Sequence, residues 1–194
     1  MSLTKEKIAA NAERYFKAGK KFGYMTDDLI KFLGEDVVTA PASTMKDLHN
    51  AFEGGLLAHV LLVSEIAMKL NDILPAHAQV DKGSLIKVCM LHQIAKSNMY
   101  KPCTSEWHIK NQGKIYEFKD GTTSMKVGER SLYYAMTCGV VLTEEEAQAI
   151  LNHDKDDTDK QAKWHSSRLA DVLKQANMMA IMIEKSEASI TPVA

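Results

Sequence analysis

No stretch of this chain reaches the roughly 18 consecutive apolar residues that a membrane-spanning helix needs, which argues against a membrane protein. An excess of charge is also missing. The 24 Lys and Arg residues against 25 Asp and Glu leave a formal net charge of -1, so bulk electrostatics indicate neither a nucleic-acid nor a membrane-surface partner. There is no CxxC pair: Cys89, Cys103 and Cys138 are odd in number and far apart, and reduced thiols are expected. The opening MSLTKEKIAANAERYF carries no apolar run of the kind a secretory leader has, so a cytoplasmic location is expected. Internal repeats, low-complexity tracts and linkers are absent as well. What remains is a chain of 194 residues, 45% hydrophobic, the size of one globular domain with a substantial core.

The periodicity of that chain is helical. Ile8, Ala12, Tyr15 and Phe16 recur at helical spacing, which predicts an amphipathic helix from about Thr4 to Lys20. Thr26 is placed to cap a short helix that ends at Gly34. Val37 to Ser43 reads as a loop because Pro41 disfavours helical geometry in its predecessor. The run GLLAHVLLVSEIAMKLN, from Gly55 to Asn71, is apolar around most of its circumference, as a helix at the centre of a bundle is. Asp81 caps a predicted helix from Lys82 to Ile94. Two runs, residues 106–109 and 114–118, flank Asn111-Gln-Gly113 and suggest a small hairpin or ordered loop within about residues 100–123. Helix resumes near Gly128, and Thr143 with Glu146 forms a capping box for the next one. A last helix is predicted over residues 166–185. Within it Met178, Met179 and Met182 read as a core stripe, and Trp107 and Trp164 as packing residues.

Four histidines invite a chemical reading. His59 and His92 fall inside apolar helices, whereas His49 and His153 lie at element ends. Taken singly, such a histidine is more often structural than a ligand. The run Asp154-Lys-Asp-Asp-Thr-Asp-Lys160 reads as a solvated loop.

Several blocks, in order, resemble the HD-domain superfamily of metal-dependent phosphohydrolases over residues 40 to 185. His49-Asn-Ala-Phe-Glu-Gly-Gly-Leu-Leu-Ala-His59 is similar to that family's H-x-x-x-x-G-G-L-L-x-H entry. MLHQIAK, ending at Lys96, is similar to L-L-H-D-I-G-K, with His92 in place and Gln93 where the defining aspartate belongs. Gly128-Glu-Arg-Ser131 resembles the G-E-K-S of a subgroup, although Val127 replaces the histidine before it. AQAILNH, ending at His153, resembles that subgroup's A-x-A-I-R-W-H. Gln175-Ala-Asn-Met-Met-Ala180 resembles the closing A-D-M-M-A, with Asn177 in place of the last aspartate. The dipeptide His153-Asp154 is a decoy: it follows a capping-box helix rather than leading into I-[GA]-K, and Asp154 is expected to face solvent.

The resemblance implies an all-α HD-domain helical bundle, with N-terminal helices in residues 1–35 packed on a motif-bearing part. It also implies a divalent metal held by two imidazoles and two carboxylates, which activates water against a phosphoester. Here both carboxylates are amides. The implied metal positions become His59, His92, Asn177 and His153, and they should converge with Gln93 beside His92. Gln93 and Lys96 stand at the catalytic positions, and His49, Lys96 and Arg130 are candidate contacts to a ligand. Without carboxylates a hard ion such as Mg²⁺ is disfavoured. Three imidazoles, His59, His92 and His153, with His49 a further candidate, would still suit Mn, Fe, Ni or Zn. Alternatively, Gln93 and Asn177 donate to each other or to the rings as a neutral network.

Three functions stay open. The first is an impaired homologue that binds a nucleotide or other phosphorylated molecule with little hydrolysis. The second is an active transition-metal phosphohydrolase, and the third is a helical protein-interaction module. No block selects a substrate or an oligomeric state.

Overall fold

Thr4, Thr26, Asp81, Ser105 and Thr143 each accept a hydrogen bond from the backbone N–H three residues ahead, and each opens a helix. Short oxygen-bearing side chains at these positions satisfy N–H groups that the first helical turn leaves unpaired. At Thr143 the reciprocal half is also present, because the Glu146 carboxylate accepts from the Thr143 N–H at 2.9 Å. The same carboxylate is buried against Lys87 Nζ at 2.9 Å, so one residue caps a helix and ties it to a neighbour.

The computed structural model describes residues 2–154 and 165–189. Nine α-helices dominate these residues: α1 (Lys5–Lys21), α2 (Asp27–Leu33), α3 (Asp36–Thr39), α4 (Gly55–Ile73), α5 (Lys82–Leu91), α6 (Glu106–Gln112), α7 (Val127–Thr137), α8 (Glu144–Asn152) and α9 (Arg168–Ser189). One small antiparallel sheet joins β1 (Tyr100–Pro102) to β2 (Tyr116–Phe118), with Lys101 opposite Glu117. The architecture is an all-α bundle. No helix among the described residues is long and apolar enough to cross a membrane.

Helix α4 is the axis of that bundle. It packs against α9, α5, α1 and α3, and Leu56, Leu57, Val60, Val63 and Ala67 are all buried along it. Each large aliphatic side chain so buried contributes about 1.5–3 kcal/mol relative to exposure. A hydrophobic cluster continues from Tyr15 on α1 through Leu85, Leu91, Ile150 and Leu173 to Ala180 on α9. Its packing brings the ends of α5 and α8 toward the N-terminal part of α4, where His59 lies.

The structure departs from the sequence expectations at several points. Residues 106–109 form α6, because Ser105 caps a helical turn that the β-favouring Trp107 and Ile109 obscure. The strand that pairs with residues 116–118 is β1, on the other side of that helix. Val37 belongs to α3, and only Ala40 onward is extended, as the proline at position 41 requires. Helix α5 stops at Leu91 rather than Ile94, and residues 94–97 form a 3₁₀ turn. Met178, Met179 and Met182 are exposed. The buried face of α9 runs through Leu173, Ala176, Asn177, Ala180 and Glu184, and a residue adjacent to that line is rotated about 100° from it. Trp107 is 60% exposed, so it is not a packing residue. Trp164 and residues 155–160 of the acidic run lie outside the described residues.

The contact between α7 and α8 is close enough to exclude a side chain. A Cβ at Gly128 would lie 2.8 Å from the carbonyl oxygens of both Ile150 and Leu151, and those carbonyls do not yield as a flexible side chain would. Three residues on, Ser131 Oγ accepts from the Ala95 N–H at 3.1 Å and fixes α7 to the 3₁₀ turn. Gly128→Ala should therefore destabilise the fold by about 1–3 kcal/mol, the usual cost of overpacking. A denaturant midpoint equal to that of the wild type would show that α7 and α8 are not in this register.

Candidate functional site

Two helices end in the same way, and both ends carry a histidine. His92 is the C-terminal cap of α5, and its Nδ1–H donates to the Cys89 carbonyl at 2.7 Å. His153 caps α8, and its Nδ1–H donates to the Ile150 carbonyl at 2.8 Å. The last carbonyls of a helix lack partners within it, and a capping imidazole satisfies one of them. The cost of that arrangement is a fixed tautomer: Nε2 of each ring becomes the lone pair. In His92 that nitrogen is buried and has no hydrogen-bond partner. The His92 and His153 rings lie 4.8 Å apart between centroids.

His59 reaches the same place from α4. Its ring centroid is 5.9 Å from that of His92 and 4.8 Å from that of His49. On one edge Nε2 lies 3.0 Å from Asn177 Oδ1. On the other, Nδ1 lies 2.9 Å from Glu184 Oε2. Asn177 and Glu184 are seven residues apart on α9 and so fall on one face, which lets a single helix grip both edges of the ring. Glu184 also accepts from Asn50 Nδ2 at 2.7 Å. Sequence reasoning missed Glu184, although its spacing from Asn177 is the signal that would have found it.

Gln93 sits just outside α5, so His92 and Gln93 are not neighbours on a helical face. The Gln93 side chain is engaged by a lysine: its Oε1 accepts from Lys96 Nζ at 2.8 Å. Lys96 also donates to the Ala42 carbonyl at 2.6 Å. Of the contacts expected of the two amides, a pairing of Gln93 with Asn177 is not among the hydrogen bonds of the described residues; Asn177 meets the His59 ring through its oxygen, and Gln93 Oε1 accepts from Lys96. Arg130 is buried and donates to the Thr123 carbonyl and the Tyr134 hydroxyl, while its Nε has no partner. Asp154 is exposed.

Burial decides the protonation of this cluster. It lowers His49 to about 2 and His59 to about 3, and holds His92 well below the usual 6.5. His153 is lowered for the same reason, with Asp154 opposing the shift. Burial raises Glu184 to about 8, with Lys96 opposing. Both shifts in the His59–Glu184 pair put the proton on the carboxyl at neutral pH. Glu184 then donates to Nδ1, and Nε2–H donates to Asn177. Lys96 is lowered by burial to about 8 and keeps its charge at neutral pH.

This donor set does not fit a hard divalent ion between His59, His92, Gln93 and Asn177. None of the four supplies a carboxylate, and Asn177 already occupies the Nε2 edge of His59. The three-imidazole arrangement of His59, His92 and His153 does not close either. Among the described residues, the three ligand-bearing side chains whose donor atoms lie within 4.8 Å of one another are His49, His59 and Glu184. That His/Glu cluster could hold a metal ion.

A dihydroneopterin 2',3'-cyclic phosphate phosphodiesterase of Methanocaldococcus jannaschii is 36% identical to this chain over 69 residues, which make up 34% of this chain and 27% of that protein. The match thus spans about a quarter of that relative's length. No family model matches the chain, and no solved structure matches it.

The protonation pattern makes stability depend on pH in a defined direction. Four histidines with folded values below 6.5 bind protons in the unfolded chain first, so each withdraws stability as pH falls below 6.5. Glu184 acts oppositely: raised from 4.5 to about 8, its contribution is complete below 4.5 and is lost as pH rises through 8. Between pH 4.5 and 6.5 the histidines outnumber Glu184, so the net effect is a loss of stability as pH falls. In chelator, the melting temperature should fall sharply as pH drops below 6.5. A profile flat down to pH 5 would mean that the histidines are not buried as neutral rings.

Proposed function

We propose that the chain is an HD-type phosphohydrolase-like protein that binds a nucleotide or related phosphorylated molecule and hydrolyses it weakly. One observation carries this reading: Lys96, whose charge acts on His49, His59, His92 and His153, also lines an open cavity. The cavity, of about 350 Å³, is lined in part by Lys96, Ser97, Tyr100, Tyr116 and Lys119. Ser97 Oγ is buried without a hydrogen-bond partner, so a hydroxyl donor stands next to a retained cation. A phosphate group would receive a point charge from Lys96 and a hydrogen bond from Ser97. The two tyrosines offer flat apolar walls beside that position, which suits a planar heterocycle.

The same geometry explains weak hydrolysis. An amide cannot act as general base, and Gln93 Oε1 and Asn177 Oδ1 are committed to Lys96 and His59. The partial match to a phosphodiesterase acting on a pterin cyclic phosphate supports the ligand class, not the catalytic rate.

Ligand binding should survive chelation. A 2',3'-cyclic nucleotide should stabilise the wild type in chelator, and Ser97→Ala or Lys96→Met should weaken it about tenfold or more, as losing a hydrogen bond to a charged group does. Equal affinity in both variants would remove the cavity from consideration.

Hydrolysis should respond to carboxylates. The double change Gln93→Asp with Asn177→Asp returns two negative charges beside two imidazoles, isosterically at 177 and with the loss of one methylene at 93. Without metal it should lower the melting temperature, because like charges then share a buried site. With Mn²⁺ that loss should reverse, and turnover of the cyclic phosphate should rise. A variant equally unstable with and without Mn²⁺ would show that the cavity no longer accepts an ion there.

A further inference from the structure

The Nδ1 edge of His59 differs from the Nε2 edge in what it offers. His49, His59 and Glu184 bring donor atoms within 4.8 Å of one another. His49 Nε2 is buried and has no hydrogen-bond partner, which is costly for a polar nitrogen unless something occupies that position in the working protein. Glu184 is buried, and its partners are a ring nitrogen and the Asn50 amide, with no lysine or arginine in ion-pair contact among the described residues. A divalent cation there would take the place of the proton that Glu184 shares with His59 Nδ1.

We propose that His49, His59 through Nδ1, and Glu184 form a binding site for a zinc-class transition-metal ion, on the opposite edge of the His59 ring from Asn177. Two imidazoles and one carboxylate are a ligand set that such ions accept with a fourth position left open, whereas Mg²⁺ prefers an all-oxygen shell.

The surroundings are arranged as that site requires. Ligation through Nδ1 leaves the ring proton on Nε2, and the proton then needs an acceptor. Asn177 Oδ1 at 3.0 Å is that acceptor, and being neutral it does not compete for the ion. A metal-bound imidazole is usually oriented by such a contact on its other nitrogen. Asn50 orients the carboxylate with its amide at 2.7 Å. Its backbone is held at φ 46, the left-handed region, which a non-glycine residue adopts only where its surroundings enforce it. The enforcement is visible: the Asn50 carbonyl accepts from the Ala42 N–H at 3.0 Å, and a Cβ at Gly55 would lie 2.1 Å from its oxygen. The Ser43 hydroxyl donates to the His49 carbonyl at 2.6 Å, so the residue that carries the third ligand is fixed on both sides. Bonds of about 2.0–2.2 Å in a tetrahedral site put donor atoms roughly 3.3–3.6 Å apart. His59 Nδ1 and the Glu184 oxygens now lie 2.9 and 3.2 Å apart, so that pair opens by a few tenths of an ångström to admit an ion, and His49, within 4.8 Å, closes toward it.

This inference does not rest on the phosphoester reading, and its test uses the metal alone. Chelator-stripped, refolding-checked full-length protein is titrated with Zn²⁺ against a chromophoric competitor. The wild type should bind one Zn²⁺ per chain. His49→Ala and Glu184→Gln should each weaken it at least about tenfold, whereas His92→Ala and His153→Ala should change it by less than about threefold. Circular dichroism in chelator establishes that each variant is folded. X-ray absorption of the wild-type zinc complex gives a readout that needs no variant, and it should show two imidazoles and one carboxylate. Absence of stoichiometric zinc binding overturns the proposal. So does a shell of three imidazoles without carboxylate, or a loss of binding in His92→Ala that Glu184→Gln does not share.

Discussion

A buried imidazole cannot be left half-paired, and the centre of this protein is organised around that constraint at His59. The ring lies inside the most apolar helix of the bundle, where an unsatisfied nitrogen would cost about 1–3 kcal/mol. Helix α9 supplies both partners, Asn177 to Nε2 and Glu184 to Nδ1. The packing of α4 on α9 therefore has a polar register as well as an apolar one. A one-residue slip would keep much of the hydrophobic contact and lose both hydrogen bonds. The loop before α4 joins the same register through Asn50, which reaches Glu184 across the helix pair.

The histidines on α5 and α8 follow a different rule. Each caps its own helix with Nδ1, so its orientation comes from a carbonyl three residues earlier and not from the partner across the cavity. This makes the aim of His92 and His153 a local property of two helix ends. The positions of those ends are set by longer-range contacts: Glu146 with Lys87 between α8 and α5, and Gly128 against the last carbonyls of α8. Local geometry fixes the tautomer, and packing brings the two rings within 4.8 Å.

Much of this was legible in the sequence, for physical reasons that also explain the gaps. Thr26, Asp81 and Thr143 marked helix starts because a cap needs only a short side chain and its next three residues. The convergence of His59, His92 and Asn177 followed from ordered motif blocks. The hairpin was misplaced because β1 and β2 are separated by a helix whose β-branched and aromatic residues resemble a strand. The methionine stripe on α9 was assigned to the core because hydrophobicity was counted without phase; Asn177 and Glu184, both polar, define the buried face instead. Glu184 itself was missed because a glutamate in a helix usually faces water, and only the seven-residue interval from Asn177 gives it away.

The amides at positions 93 and 177 then acquire a physical reading that simple repair of a core does not supply. Relative to the pattern the chain resembles, the Nε2 edge has lost two negative charges. It retains Lys96, a buried cation near its neutral-pH limit, with Gln93 Oε1 and the Ala42 carbonyl as uncharged acceptors. An apolar replacement at 93 would have left that ammonium short of a partner, so the glutamine holds the lysine in place while leaving its charge uncompensated. One buried acidic group remains within hydrogen-bond reach of the rings, on the far edge of His59. Burial acts on it and on Lys96 in the same sense, against the charged form, yet at neutral pH it leaves the ammonium charged and the carboxyl neutral. The two edges of the His59 ring are thus electrostatically unlike, and the glutamine and asparagine keep them so.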